Sequence, residues 1–273
     1  MTNCIKHILF KKGTRMIRIS QLQPVRYPAG EITFPNITTR EVFLDTPDSE
    51  SIIALLEIAA SQEEPIHAVI PYFPAARADK PGNFDIKPIS RMLATGNFSQ
   101  VTILDIHSQQ SRHIVEETFK QQGIPVVFQE ALDIIKHFKI IEKNDYTAII
   151  APDHGAVYRA GIVARHFNLP IVIAEKQRDQ NTGRITQYKF PQTRTDLSNV
   201  LVIDDICDGG ATFRLLQESL PRKADLYVSH GVFSKNAQDN LEGYQNVYTT
   251  NSLTTCKNIS RVHVLDITEI VEN

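Results

Sequence analysis

Apolar and polar positions fall in blocks along this chain. Short runs rich in β-branched and aromatic residues (MIRIS, VFLDT, HAVIPYF, VTILDIH, TAIIAPD, PIVIAE, NVLVIDD, DLYVSHGVF and RVHVLDI) are separated by stretches with helical spacing, such as SESIIALLEIAAS, AVYRAGIVARHFN and ATFRLLQESL. The runs read as strands and the stretches between them as crossover helices, which predicts an α/β fold with largely parallel sheets. HAVIPYF and VTILDIH in the first half match TAIIAPD and VLVIDD in the second, each a buried strand ending in polar residues. The pattern predicts two similar lobes, 1–143 and 144–273, with the seam near residues 139–145. A sheet of this kind carries its ligands along the carboxyl ends of its strands.

VLVIDDICDGGATF, residues 200–213, carries the most chemistry. Val200 to Ile203 read as a strand buried on both faces, so Asp204, Asp205 and Asp208 are expected where it gives way to a loop. Gly209 and Gly210 permit a close backbone approach, and Ala211-Thr212 opens a helix whose amides face an anion. A bare phosphate cradle has no use for three neighbouring carboxylates. A sugar phosphate does: the amides take the phosphate while the acids take ribose hydroxyls or a hydrated magnesium. The plain structural alternative is an acidic turn with Asp208 capping the helix.

Other strand ends offer candidates of the same kind. Arg77 and Asp79 follow AVIPYF, and read either as a polyphosphate grip or as a solvated pair. His107 follows Asp105 at the end of VTILD and reads as a metal or phosphate contact or as a hydrogen-bonded structural ring. Asp153 reads as a hard oxygen ligand or as the N-cap of the next helix. Lys176 and Arg178 precede the polar stretch DQNTGR, where two cations suit either a mobile lid or ordinary surface charge.

Composition narrows the partners. The 273 residues are 42% hydrophobic and 22% charged, ordinary for a globular protein, and the formal charge of -2 with no long basic run gives no support for nucleic acid or a membrane surface. Cys4, Cys207 and Cys256 fit reduced thiols better than a disulfide framework or zinc site, and Cys207 reads as a small buried residue. The start MTNCIKHILFKKG is too short and interrupted for a signal peptide, so a cytoplasmic protein is expected.

VLVIDDICDGGAT resembles the phosphoribosyl-pyrophosphate loop of the type I phosphoribosyltransferase fold. Further segments are similar to the ribose-phosphate pyrophosphokinase family: YFPAARADK to its ATP segment, LDIHS and APDHGAVYRA to its metal-binding strand ends, EKQR to its catalytic flexible loop, RYPAGE to its adenine-reaching segment, and SHGVFS in family order. The resemblance implies two phosphoribosyltransferase-like lobes, and transfer of diphosphate from Mg-ATP to the anomeric hydroxyl of ribose 5-phosphate. It assigns catalysis to Lys176 and Arg178, ATP to Tyr27, Glu31, Arg77 and Asp79, Mg²⁺ to His107 and Asp153, and the sugar phosphate to Asp204, Asp205, Asp208, Gly209, Gly210, Ala211 and Thr212. It also implies a homo-oligomer, dimer or hexamer.

The chain departs from the family at Ala29, where an aspartate is usual, and at Ala78, usually glutamine. KPGNFDIKPIS does not reproduce the stretch linked to allosteric control, which implies that classical feedback is absent. Gly209 replaces the first threonine of the phosphate loop and Ala211 a glycine. A looser cradle suits ADP-ribose as an alternative acceptor, and a non-catalytic regulatory paralogue or a transferase consuming phosphoribosyl pyrophosphate are further alternatives.

Overall fold

The computed structural model describes residues 16–34, 37–80, 85–179, 185–191, 195–254 and 259–271, the side chain of Arg178 excepted. They divide into two compact units, one drawn from residues 1–103 and 110–127, the other from 104–109 and 128–273. The seam expected at 139–145 therefore lies inside the second unit. The helix Ala131–His137 (α4) is the physical reason: it carries a Glu130–Asp133 capping box, buries Ile134 and Ile135, and packs against a helix of the second unit.

The first unit is built on a five-stranded sheet of Ile17–Arg18 (β1), Glu41–Phe43 (β4), Ile66–Val69 (β5), Phe98–Leu104 (β6) and Val126–Gln129 (β7), in the order β1-β4-β5-β6-β7. Pairing is parallel from β1 through β6. An antiparallel hairpin, Val25–Arg26 (β2) and Ile32–Thr33 (β3), stands apart from that sheet. Its helices are Ser49–Ser61 (α1), capped by Asp48 accepting from the Ser51 amide at 2.8 Å, Ile86–Leu93 (α2), capped by Asp85, and Gln109–Lys120 (α3). These caps satisfy helix-end amides with side-chain oxygens.

The second unit holds a six-stranded, wholly parallel sheet in the order β15-β14-β13-β12-β8-β9. The strands are Ala148–Ala151 (β8), Ile171–Ile173 (β9), Val200–Cys207 (β12), Asp225–Gly231 (β13), Val247–Thr250 (β14) and Val262–Leu265 (β15). Glu175–Arg178 (β10) and Ile185–Lys189 (β11) form a separate antiparallel hairpin with an irregularity between Gln177 and Arg178. Val157–His166 (α5), Ala211–Glu218 (α6) and Ala237–Leu241 (α7) complete the unit's main helices. As expected for a parallel sheet, β12 is buried on both faces: Val200 and Val202 pack with Phe213 and Leu216 of α6, and Leu201 and Ile203 are also inaccessible. Each such aliphatic side chain contributes about 1.5–3 kcal/mol by leaving water. Among the described residues no helix is long and apolar enough to cross a membrane.

A polar knot ties the start of this sheet to its centre. Tyr146 donates its hydroxyl to Asp225 Oδ2 at 2.6 Å, while the backbone and side-chain nitrogens of Asn246 donate to Asp225 Oδ1 at 2.9 and 3.0 Å. Burial and the Asp225 carboxylate hold the Tyr146 phenol far above its ordinary range, so it keeps its proton and can donate it to Asp225. Tyr146→Phe strips the buried carboxylate of one donor and should cost about 1–3 kcal/mol in urea unfolding; an unchanged midpoint would mean that the bond contributes nothing.

Candidate functional site

β12 does not stop at Ile203. Asp204 pairs with Val228, Ile206 with His230 and Cys207 with Gly231, so Asp204 and Asp205 belong to the strand and only Asp208 enters the turn. The strand is this long because β13 runs all the way to Gly231 and offers backbone partners that far. Cys207 is a buried thiol outside any disulfide, as expected of a small residue filling the core.

After the strand the chain turns into α6. Gly210 is the N-cap in a left-handed conformation (φ 75°) and no side chain caps the helix, so Asp208 is not the cap that an acidic turn would make it. Asp208 accepts instead from Ser234 Oγ, and Asn240 Nδ2 donates to the Gly209 carbonyl at 2.6 Å, pinning the turn. A Cβ on Gly210 would meet Asn240 Cβ at 3.1 Å, which together with its φ calls for glycine there. At Gly209 a Cβ would meet only Ser234 atoms at 3.9 Å, ordinary contact. The first amides of α6 at Ala211 and Thr212 thus lie at an uncapped helix end, the arrangement that attracts an anion.

The acids beside this turn are organised by groups from two other elements. Asp205 Oδ2 lies 2.6 Å from His107 Nδ1, so any metal or phosphate contact of that ring would come through Nε2. Arg159, on α5 and 7% exposed, donates to Asp105 Oδ1 and, at 2.7 Å, to the His107 carbonyl. The same guanidinium lies 3.7 Å from Asp205 Oδ1 and 4.0 Å from Asp204 Oδ1. Ser229 Oγ donates to the other oxygen of Asp105 at 2.5 Å, and His230 reaches Ser252 Oγ and the Leu104 carbonyl. Burial would raise Asp205, but the His107 bond and Arg159 outweigh it and hold it well below the usual range; burial and the Asp205 charge push Asp204 well above. One acid of the pair is therefore firmly ionised and the other holds its proton readily.

Asp153 follows β8 and takes the capping role of its two readings. Its Oδ1 accepts from the Gly155 and Ala156 amides at 2.9 and 3.2 Å as a helix cap, while Oδ2 takes Lys176 Nζ at 2.5 Å. Burial raises its carboxyl, yet Lys176 outweighs burial and the net shift is downward. Lys176 is on β10 of the separate hairpin; the Arg178 side chain and residues 180–184 lie outside the described residues. Among the described residues no three His, Cys, Asp or Glu side chains are placed so as to hold a metal ion between them.

The remaining candidates lie in the first unit. Arg77 is exposed at the end of a turn in which Ala76 O accepts from Ser111 Oγ at 2.6 Å, and Asp79 follows it half-buried. Tyr27 and Glu31 are exposed at the tip of the β2–β3 hairpin, where the Tyr27 amide donates to the Glu31 carbonyl at 2.9 Å and Arg26 pairs with Glu50. Sequence reasoning overlooked Arg159, Ser229 and His230. They lie within APDHGAVYRA and SHGVFS, segments the sequence singled out without giving these three residues a role; a further clue to Arg159 is its charge beside Ala156, Ala160 and Val163 on an otherwise apolar helix face.

Two buried groups oppose each other in acid. Burial lowers the His230 imidazole from 6.5 to about 4, so the stability of its neutral form is full above pH 6.5 and is lost as pH falls towards 4. Burial raises Asp105 from 3.8 to about 6 against the pull of Arg159, so its contribution is full below pH 3.8 and is lost as pH rises through 6. His230→Gln removes only the first. The stability advantage of wild type over this variant should shrink by on the order of 3 kcal/mol from pH 7 to pH 4 in urea titrations; a pH-independent difference would mean that folding leaves the proton affinity of the ring unchanged.

Comparison with known proteins fits this geometry. A curated ribose-phosphate pyrophosphokinase from Sulfurisphaera tokodaii is 26% identical over 98% of this chain and 90% of its own length. Another from Mycoplasma genitalium is 27% identical over 82% of this chain and 70% of its own. These named relatives support a diphosphotransferase enzyme. The crystal structure of phosphoribosylpyrophosphate synthetase from Mycobacterium smegmatis superposes with a TM-score of 0.74 at 19% identity, covering 95% of this chain and 96% of that one, a likeness of fold. The family model described as phosphoribosyl transferase domain matches residues 129–266, which span β12, the glycine turn and α6, and the chain belongs to that family.

Proposed function

We propose that the chain transfers the β,γ-diphosphate of ATP to the anomeric hydroxyl of ribose 5-phosphate, giving phosphoribosyl pyrophosphate and AMP. The observation that carries this reading is the junction of a carboxylate pair, Asp204 and Asp205, with an uncapped helix end at Gly209–Thr212. An uncapped helix end suits the 5-phosphate, and carboxylates a few residues before it suit the ribose hydroxyls. The name carried by the curated relatives supports the same acceptor.

The chemistry asks the protein for alignment and charge compensation. The anomeric oxygen attacks the β-phosphorus; the new O–P bond forms as the bond from the β-phosphorus to the α,β-bridging oxygen breaks. AMP departs with that electron pair, and the hydroxyl proton passes to water. Lys176 neutralises charge on the transferring group, with Arg178 beside it in sequence. A polyphosphate competes with Asp153 for the Lys176 ammonium, an exchange favoured by the partial exposure of that ion pair. Tyr27 and Glu31 hold the adenine end of ATP, Arg77 grips its phosphates and Asp79 orients the bound nucleotide. In this reading the active form is a homo-oligomer, dimer or hexamer, in which a neighbouring copy completes the ATP site.

Magnesium fits this donor set as a lightly held ion. His107 offers Nε2 and Asp153 one oxygen, while nucleotide phosphates and water supply the remaining ligands, the usual condition of Mg²⁺ at a polyphosphate. Bound there, it would neutralise phosphate charge.

The space at Gly209 favours a second reading, with ADP-ribose as the acceptor. A Cβ at Gly209 would meet only Ser234 atoms, at 3.9 Å, so the turn itself has room to spare at this position. AMP release from Mg-ATP, followed with each acceptor and by phosphorus NMR, discriminates the two. We expect turnover with ribose 5-phosphate, a fall of about a hundredfold or more in kcat for Lys176→Ala, and a further drop in any ADP-ribose turnover for Gly209→Thr. Turnover of ADP-ribose alone would exchange the acceptor; AMP release with neither would overturn the reading.

A further inference from the structure

We propose that Arg159 is a positioning residue for the sugar-phosphate site: its guanidinium joins the Asp105–His107 turn to the Asp204–Asp205 pair and sets the direction those carboxylates present to a ribose. The inference rests on the function proposed above and names a residue which that function has not used.

Its placement makes the argument. An arginine 93% buried is rare unless its charge is fully matched. A single carboxylate would suffice for matching, and Asp105 already provides one, accepting directly from the guanidinium. Yet Arg159 also donates to the His107 carbonyl and stands within ion-pair distance of both Asp205 and Asp204. Those last contacts, at 3.7 and 4.0 Å, steer the two acids without consuming their oxygens. Nε, 4.0 Å from Asp204 Oδ1, is buried and makes no hydrogen bond among the described residues. A buried donor without an acceptor is costly, and a movement of about 1 Å would bring Asp204 into hydrogen-bond range. Asp204 is also the more open member of the pair, 19% exposed against 6% for Asp205, and so is the one able to reach a ligand.

The Asp105 end of the clamp is set with equal care. Its backbone is left-handed (φ 34°), a conformation that persists in a non-glycine residue only when its surroundings enforce it. Arg159 holds one carboxylate oxygen and Ser229 the other. The turn carries His107, whose Nδ1 meets Asp205, so the arginine orients Asp205 twice, directly and through the histidine.

A planar fork is required for this; a lysine keeps the charge but not the several simultaneous donors. The test compares wild type, Arg159→Lys and Arg159→Met as full chains, measuring kcat and KM for ribose 5-phosphate and for ATP, with circular dichroism to check the fold. Both variants should raise KM for ribose 5-phosphate about tenfold or more while KM for ATP stays within about twofold. If Arg159→Met does not fold, Arg159→Lys alone decides, because its charge remains among the carboxylates. Wild-type KM values in Arg159→Lys, or equal rises in both KM values, would overturn the proposal while leaving the proposed function standing. If wild type releases no AMP from ATP with ribose 5-phosphate, both fall together.

Discussion

Charge brought out of water at the carboxyl edge of the second sheet is the constraint around which this protein is arranged. Asp105 follows β6, Asp204 and Asp205 lie in the last part of β12, and Asp105 and Asp205 are nearly inaccessible. Such a group is tolerable only with a cation among it and with its oxygens engaged. Arg159 supplies the cation from α5, Ser229 and His107 supply donors, and the length of β12 and β13 carries these groups to the right depth. The helix that delivers Arg159 lies against β8, β9 and β12, so the sheet's packing and the edge's electrostatics depend on one another.

The same arrangement resolves an apparent conflict in the site. A helix end that attracts phosphate lies a few residues from acids that should repel it. The acids are largely compensated: Arg159 stands among three of them, Lys176 faces Asp153, and burial favours the protonated form of Asp204. What remains at this edge is a set of hydrogen-bonding oxygens whose charge is largely compensated, beside a helix end of the kind that attracts an anion.

Much of this was legible before any coordinates. Runs such as AIIA and VLVI mark β8 and β12 because a strand covered on both faces must be apolar throughout, and the glycine pair marks the turn because Gly210 adopts a positive φ. Asp204 and Asp205 read as loop residues because acids seldom continue a central strand; the register with β13, a long-range fact, draws them in. Arg159 escaped notice since depth is not written in a helix's local spacing, and the opposing carboxylates are distant in sequence. The boundary between units was misjudged for a related reason: polar composition near 139–145 resembles a linker, while α4 just before it is docked on α5.

The assignment of residues 104–109 has its own consequence. Because this short stretch belongs with 128–273 while 110–127 return to the first unit, the chain passes between units at 103/104, 109/110 and 127/128. Neither unit is a continuous piece of polypeptide. A fragment beginning at 128 would carry Arg159 without Asp105 or His107, leaving the buried guanidinium with fewer partners. A single cut at 127/128 would thus part Arg159 from two of the groups it holds, Asp105 and His107.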